Sequence, residues 1–167
     1  MTEDERVTAA LIARLRGEMA TDRALVARCV ADAQLARGAL AVTPADHAAL
    51  ALAAVALHAW YTGVETILER TARALDREVP EGERWHRELL AQASVEVPGL
   101  RPAIVPAALT PDLAELLSFR HFFRHAYGIL LDPVRIGALL DALARVEPHV
   151  GAALDAFDAF LASAAPR

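Results

Sequence analysis

A chain of 167 residues is the length of one domain and long enough to bury a core of its own. Its composition is 55% hydrophobic but only 5% aromatic, the excess being largely alanine, the best helix former. The net charge of −5 excludes a surface that attracts nucleic acid through an overall positive field, so any anion site must be local.

Helical periodicity runs through nearly the whole chain. Over Glu3–Arg37, Val7, Leu11, Leu15, Leu25, Val26, Cys29, Val30 and Ala33 recur at spacings of three and four, and Gly38 predicts the stop. Thr43-Pro44, Thr110-Pro111 and Asp132-Pro133 each set a capping oxygen before a proline, which predicts three helix starts. The first of these opens a helix over Pro44–Glu78, roughly 50 Å long at the usual rise. Within it, residues 47–64 carry no formal charge and approach the length of a membrane span. Their two histidines and the charged continuation ETILERTARALDRE make them the buried part of a long soluble helix. A third helix is predicted over Glu83–Ala93, with Trp85, Leu89 and Leu90 on one side. The proline-rich residues 94–109 form an irregular, partly buried connection. A fourth helix runs from Pro111 to Leu130, with Leu113, Leu116, Leu117, Phe123 and Leu130 toward the core. A fifth starts at Pro133 and is expected to kink or break near Glu147, ahead of Pro148, before a frayed ASAAPR tail.

No strand pattern, glycine-rich phosphate loop, GxSxG or paired-cysteine motif occurs. The expectation is an all-α bundle with two very long helices, one domain over residues 1–167, whose long apolar faces call for a second copy. Cys29, the sole cysteine, reads as a small buried hydrophobe. MTEDER lacks the basic-then-apolar pattern of a signal peptide, so a cytoplasmic protein that is not membrane-bound is expected.

The chemistry concentrates in SFRHFFRHAY, residues 118–127, which hold two arginines, two histidines and a tyrosine and no carboxylate. Arg120, Arg124 and Tyr127 share one helical face, and His121 and His125 share a neighbouring one. Arg120 and His125 are five apart, about 140° around an ideal helix, and can line one cleft from its two sides. Three readings compete here: a solvated or structural face, a zinc site from the two histidines, and phosphate chemistry. The flanking arginines repel a cation, which disfavours the metal. Arginine forks match phosphate oxygens, and histidine moves protons near neutral pH. Cleavage of an RNA backbone needs a base for the 2′-hydroxyl, a cation for the phosphorane and an acid for the leaving oxygen, all available here without a metal or cofactor.

The run from Arg120 to Tyr127 resembles the Arg-x4-His-x-Tyr motif of HepT-like ribonuclease toxins, in the HEPN superfamily. WYTGVETILERTARAL at 60–75 and PEGERWHRELL at 80–90 are similar to the same group. The resemblance implies a HEPN-type helical bundle that dimerises, with motif helices meeting at the interface. It implies a metal-independent endoribonuclease of a toxin–antitoxin pair, with Arg120 binding phosphate and His125 transferring protons. Tyr127 would be the tyrosine to which a minimal nucleotidyltransferase antitoxin transfers AMP, blocking the site with charge and bulk. Many HEPN proteins carry asparagine where this chain has His121, and His121 and Arg124 stand as further substrate contacts. A non-catalytic HEPN module that docks to a nucleotidyltransferase is the alternative, and a structural dimer without RNA the third. Of the remaining candidates, Trp60, Tyr61 and Glu65 are able to approach the cleft, with Trp60 and Tyr61 reading first as core, and Trp85 and His86 read as structural ahead of a face for the antitoxin. His47, His58 and His149 show no constellation.

Overall fold

The computed structural model describes residues 2–125 and 130–166, and these form five α-helices. Helix α1 spans Glu3–Val42 and opens with a reciprocal cap. Thr2 Oγ1 accepts from the Glu5 amide at 3.2 Å while Glu5 accepts from the Thr2 amide at 2.6 Å, and Glu3, Asp4 and Glu5 complement the dipole. Gly38 does not end α1, which continues one turn further. Nothing packs within contact of Gly38, and φ there is not positive, so it acts as an ordinary helical residue.

Helix α2 spans His47–Thr71. Its start corrects the expectation at Thr43-Pro44: those residues form the turn out of α1, and Asp46 is the cap, accepting from the amides of Ala48 and Ala49 at 2.9 and 3.2 Å. The α-helical part also stops short of Glu78. A π-helical turn, Ala72–Asp76, follows, and Arg77 closes it in the left-handed region at φ 59°. Residues 47–76 are long and apolar enough to cross a membrane, and half of their most apolar window is buried inside the bundle. Helix α3 spans Trp85–Ala93, helix α4 spans Thr110–His125 and helix α5 spans Pro133–Ala164. Thr110 already has helical dihedrals and so lies inside α4 rather than capping it. Asp132 caps α5 as expected, accepting from the Val134 amide at 3.0 Å.

Pro148 does not break α5. The carbonyl it orphans belongs to Ala144, and both residues are exposed, so water can take the missing bond. The core-facing stripe of α4 also needs correction: Phe119 is buried, whereas Leu130, expected in the core, is 89% exposed. Val7, Leu11 and Leu25 of α1 likewise face out.

Helix α2 is the central element, burying Leu50, Leu57, Trp60, Tyr61, Val64, Ile67 and Leu68 in one continuous core with residues of every other helix. Antiparallel ion pairs lace α1 to α5: Arg16–Asp158 at 2.7 Å, Arg23–Asp155 at 2.5 Å, and Arg37–Asp141. Such exposed pairs contribute about 0–1 kcal/mol each and set register more than stability.

Residues 94–109 are anchored rather than loose. Val97 and Arg101 exchange backbone hydrogen bonds around a turn with Pro98 and Gly99 at its tip, where φ of 75° requires glycine. Arg101 is buried, and all five of its donors are used. Nε and Nη2 reach Asp76 at 2.6 Å each, and carbonyls of Val95, Pro102 and Gln92 take the rest at 3.0–3.2 Å. Burial would raise the Asp76 carboxyl, but hydrogen bonds from Arg101 and Gln92 outweigh it and hold it below the ordinary value.

The α1–α2 contact closes over Gly63. A Cβ there would stand 2.6 Å from Val26 Cγ2, and valine on a helix has little rotamer freedom to retreat. Overpacking of about 1–3 kcal/mol outweighs the roughly 1 kcal/mol gained in helix propensity. Gly63→Ala is therefore expected to lower the melting temperature by a few degrees, and Val26→Ala in the same chain should relieve it. Additive effects in thermal melts would show that the two positions do not touch.

Candidate functional site

Helix α4 buries Leu113, Leu116 and Leu117, and the same stripe one turn on falls at Arg120, 6% exposed. An arginine in a core position needs a carboxylate, because an unpaired buried charge is far costlier than a paired one. Helix α2 supplies it. Glu65, the only acid between His47 and Leu68, is 4% exposed, and its Oε1 lies 2.9 Å from Arg120 Nη2. Glu65 Oε2 meets His86 Nδ1 of α3 at 2.7 Å. One carboxylate thus joins α2, α3 and α4.

A carboxylate oxygen only accepts, so His86 Nδ1 carries the hydrogen of this bond, and in the neutral tautomer that this leaves the lone pair lies on Nε2. Arg120 Nη1 lies 3.4 Å from Nδ1 and 3.3 Å from Nε2. No donor can follow both diverging ring directions, so this near-equal spacing places the guanidinium against the ring rather than on one lone pair. Thr62 Oγ1, one turn before Glu65, is 3.4 Å from Arg120 Nε and donates to the His58 carbonyl at 2.8 Å. The His58 ring packs at 5.5 Å from Phe123, and burial, then the charges of Arg120 and Arg124, lower its pKa and keep it neutral. Burial pushes the Tyr61 hydroxyl far above its ordinary range, with Glu65 adding to that and Arg120 opposing it, so Tyr61 stays un-ionised.

His86 also lines a cleft of about 250 Å³ between α3 and α4, with Arg84, Arg87, Ser118 and His121 around it and Glu83 the one acid. The His121 ring lies 6.4 Å from that of His86 and 4.9 Å from that of His125, so three imidazoles run in a row across the two helices. Arg124 and His125 are exposed in the last described turn of α4. Positive side chains there also suit a helix C-terminus without any ligand. Among the described residues no carboxylate lies within ion-pair distance of Arg84, Arg87 or Arg124. No group of three or more His, Cys, Asp or Glu is arranged around a metal position among the described residues.

The expected site residues are therefore split by depth. Arg120 lies within the bundle behind His86, His121 borders the cleft, and Arg124 and His125 are at the surface. Tyr127 lies outside the described residues. Glu65 joins the site, as its position allowed. His86, expected to be structural, bonds Glu65 and also lines the cleft, a placement that sequence reasoning missed, and His58, assigned nothing, packs against Phe123. Glu65 had a signal, since a lone acid on an apolar helix demands a cation. His86 had none, being 34 residues from Arg120 across a proline-rich connection.

A family model described as HepT-like protein matches residues 51–161, about two thirds of the chain and all of the Glu65–His86–Arg120 cluster. No curated protein and no solved structure matches the chain.

Removal of Glu65 should expose how much the cluster depends on charge balance. Glu65→Ala leaves Arg120 buried and unpaired, a loss of about 3–5 kcal/mol in urea unfolding. Glu65→Ala with Arg120→Met should recover much of it. A double variant no more stable than the single would mean the two charges do not depend on each other.

Proposed function

The chain belongs to the HepT-like family, and on that premise we propose that it is the ribonuclease toxin of a toxin–antitoxin pair, cutting RNA through the 2′-hydroxyl without a metal. The observation that carries this reading is the row of imidazoles beside a guanidinium at one end of the bundle. Arg120 and Arg124 supply cations for the phosphate, His125 transfers a proton, and His121 adds a further contact to substrate. Phe122 within the motif at 41% exposure, and Leu130 and Val134 beyond it at 89% and 81%, leave apolar surface at this end, which supports a dimer closed over it. Tyr127 is the residue that a minimal nucleotidyltransferase antitoxin modifies with AMP in this reading, and the cytoplasm is where the pair would act.

The neutralisation of Arg120 by Glu65 favours a second reading. A guanidinium already paired has less charge to offer a phosphate, which suits a non-catalytic module that docks to the nucleotidyltransferase.

His125→Ala is the cleaner test, because His125 is exposed whereas Arg120→Ala would strand Glu65 in the core. In excess EDTA, wild-type protein free of AMP should cut RNA, and His125→Ala should be slower by roughly 10²–10⁴-fold, the usual contribution of a proton-transfer group. Equal rates would sink the assignment of His125, and an inert wild type would favour the docking module. Tyr127→Phe should escape AMP transfer by the cognate nucleotidyltransferase, read by intact mass. AMP on another residue would refute that placement.

A further inference from the structure

The buried Glu65–His86 pair has a consequence for the chemistry of the α3–α4 cleft. Glu65 fixes the His86 ring at Nδ1, 2.7 Å away, and leaves Nε2 as the basic nitrogen of a side chain that lines the cleft and is 13% exposed. This is how a histidine is held for proton transfer: one nitrogen is tied to a carboxylate, which sets tautomer and orientation, and the other is kept for the reacting group. The Arg120 guanidinium, 3.3 Å from Nε2 and 3.4 Å from Nδ1, lies against the ring and does not single out the Nε2 lone pair. Around the same cleft stand Arg84 and Arg87, with no carboxylate within ion-pair distance among the described residues, the Ser118 hydroxyl, and the His121 ring at 6.4 Å, against the single acid Glu83. Arg16, Arg23 and Arg37 of α1, by contrast, reach acids on α5. Unspent cations around an oriented imidazole suit an anion.

Resting on the ribonuclease reading, we propose that the cleft seats an RNA phosphodiester and that His86 is the second proton-transfer residue, acting as the general base. His86 Nε2 takes the proton of the 2′-hydroxyl. The 2′-oxygen forms its bond to phosphorus as the bond from phosphorus to the 5′-oxygen breaks. Protonated His125 gives its proton to that 5′-oxygen. The products are a 2′,3′-cyclic phosphate and a 5′-hydroxyl, and proton exchange with solvent resets the two rings. His121, with its ring 4.9 Å from that of His125, lies between the two and contacts the phosphate, while Arg84 and Arg87 hold the neighbouring one. This division gives the site both a base and an acid, the base being the one imidazole of the row whose Nδ1 is tied to a buried carboxylate.

The experiment compares an RNA oligonucleotide with one whose 5′-bridging oxygen at a single linkage is sulfur. Sulfur departs as a thiolate and needs no acid. His86→Asn keeps a donor for Glu65 and lacks a basic nitrogen, and its urea midpoint reports whether the fold is intact. On the oxygen substrate, His125→Ala and His86→Asn should each lose roughly 10²-fold or more. On the sulfur substrate His125→Ala should recover most of its rate, while His86→Asn stays slow. The acid limb of the pH–kcat/KM profile, where the base becomes protonated, should vanish in His86→Asn alone. His86→Asn cutting at the wild-type rate, or recovering on sulfur as His125→Ala does, would overturn the assignment. A wild type that cuts neither substrate overturns the nuclease reading, and this proposal with it.

Discussion

Glu65 accepts from Arg120 on α4 and from His86 on α3 while itself standing on α2, and the end of the bundle is organised around that sharing. Each of the three helices has an apolar face that could pack in more than one rotation. Satisfying a 4% exposed carboxylate and a 6% exposed guanidinium leaves only one. The energetics show why this matters more than its net stability. A buried ion pair is seldom more stabilising than apolar residues of the same volume, whereas a broken one is strongly destabilising. The cluster therefore penalises wrong arrangements of α2, α3 and α4 more than it strengthens the right one. The same geometry delivers a histidine, oriented through Nδ1, to the wall of a cleft.

The charge distribution fits a protein that is acidic as a whole and basic at one place. Arg14, Arg16, Arg23 and Arg37 on α1, Arg70 on α2 and Arg145 on α5 are matched by acids on the same or neighbouring helices, which spends their charge on register. Between Leu116 and Leu131 the sequence contains no acid at all. The carboxylate that approaches Arg120 comes from another helix and lies beneath the surface, so the outer side of this end keeps Arg84, Arg87 and Arg124 unneutralised among the described residues. An anion arriving there meets a local field that the net charge of −5 conceals.

The helices were legible because their signals are local. Period and composition placed all five, and Asp132 caps α5 through its own side chain. Boundaries failed where two local signals competed. Thr43-Pro44 carries a capping pattern, but Asp46, three residues on, takes the cap and leaves the earlier pair as the turn. Pro148 carries a helix-breaking signal whose penalty shrinks when the orphaned carbonyl faces water, and exposure is a tertiary fact. The site was legible to the extent that it lies on one helix. The motif identified Arg120, His121, Arg124 and His125, but it grouped Arg120 with Arg124 and Tyr127 on one face, and only the packing shows Arg120 buried in line with Leu113, Leu116 and Leu117. Its partners were hidden by distance along the chain. Only packing shows that His86 and Glu65 share a hydrogen bond across 21 residues.

The π-helical turn at Ala72–Asp76 carries one residue more than an α-helical turn would need to bridge the same rise. That extra residue sets the direction in which Asp76 leaves the axis, toward a buried Arg101 that in turn fixes the connection beyond α3. Deleting a single residue here would restore a regular helix and swing Asp76 by about 100°. In evolutionary terms the segment should accept exchanges of its exposed side chains, such as Arg73, far more readily than any change in length.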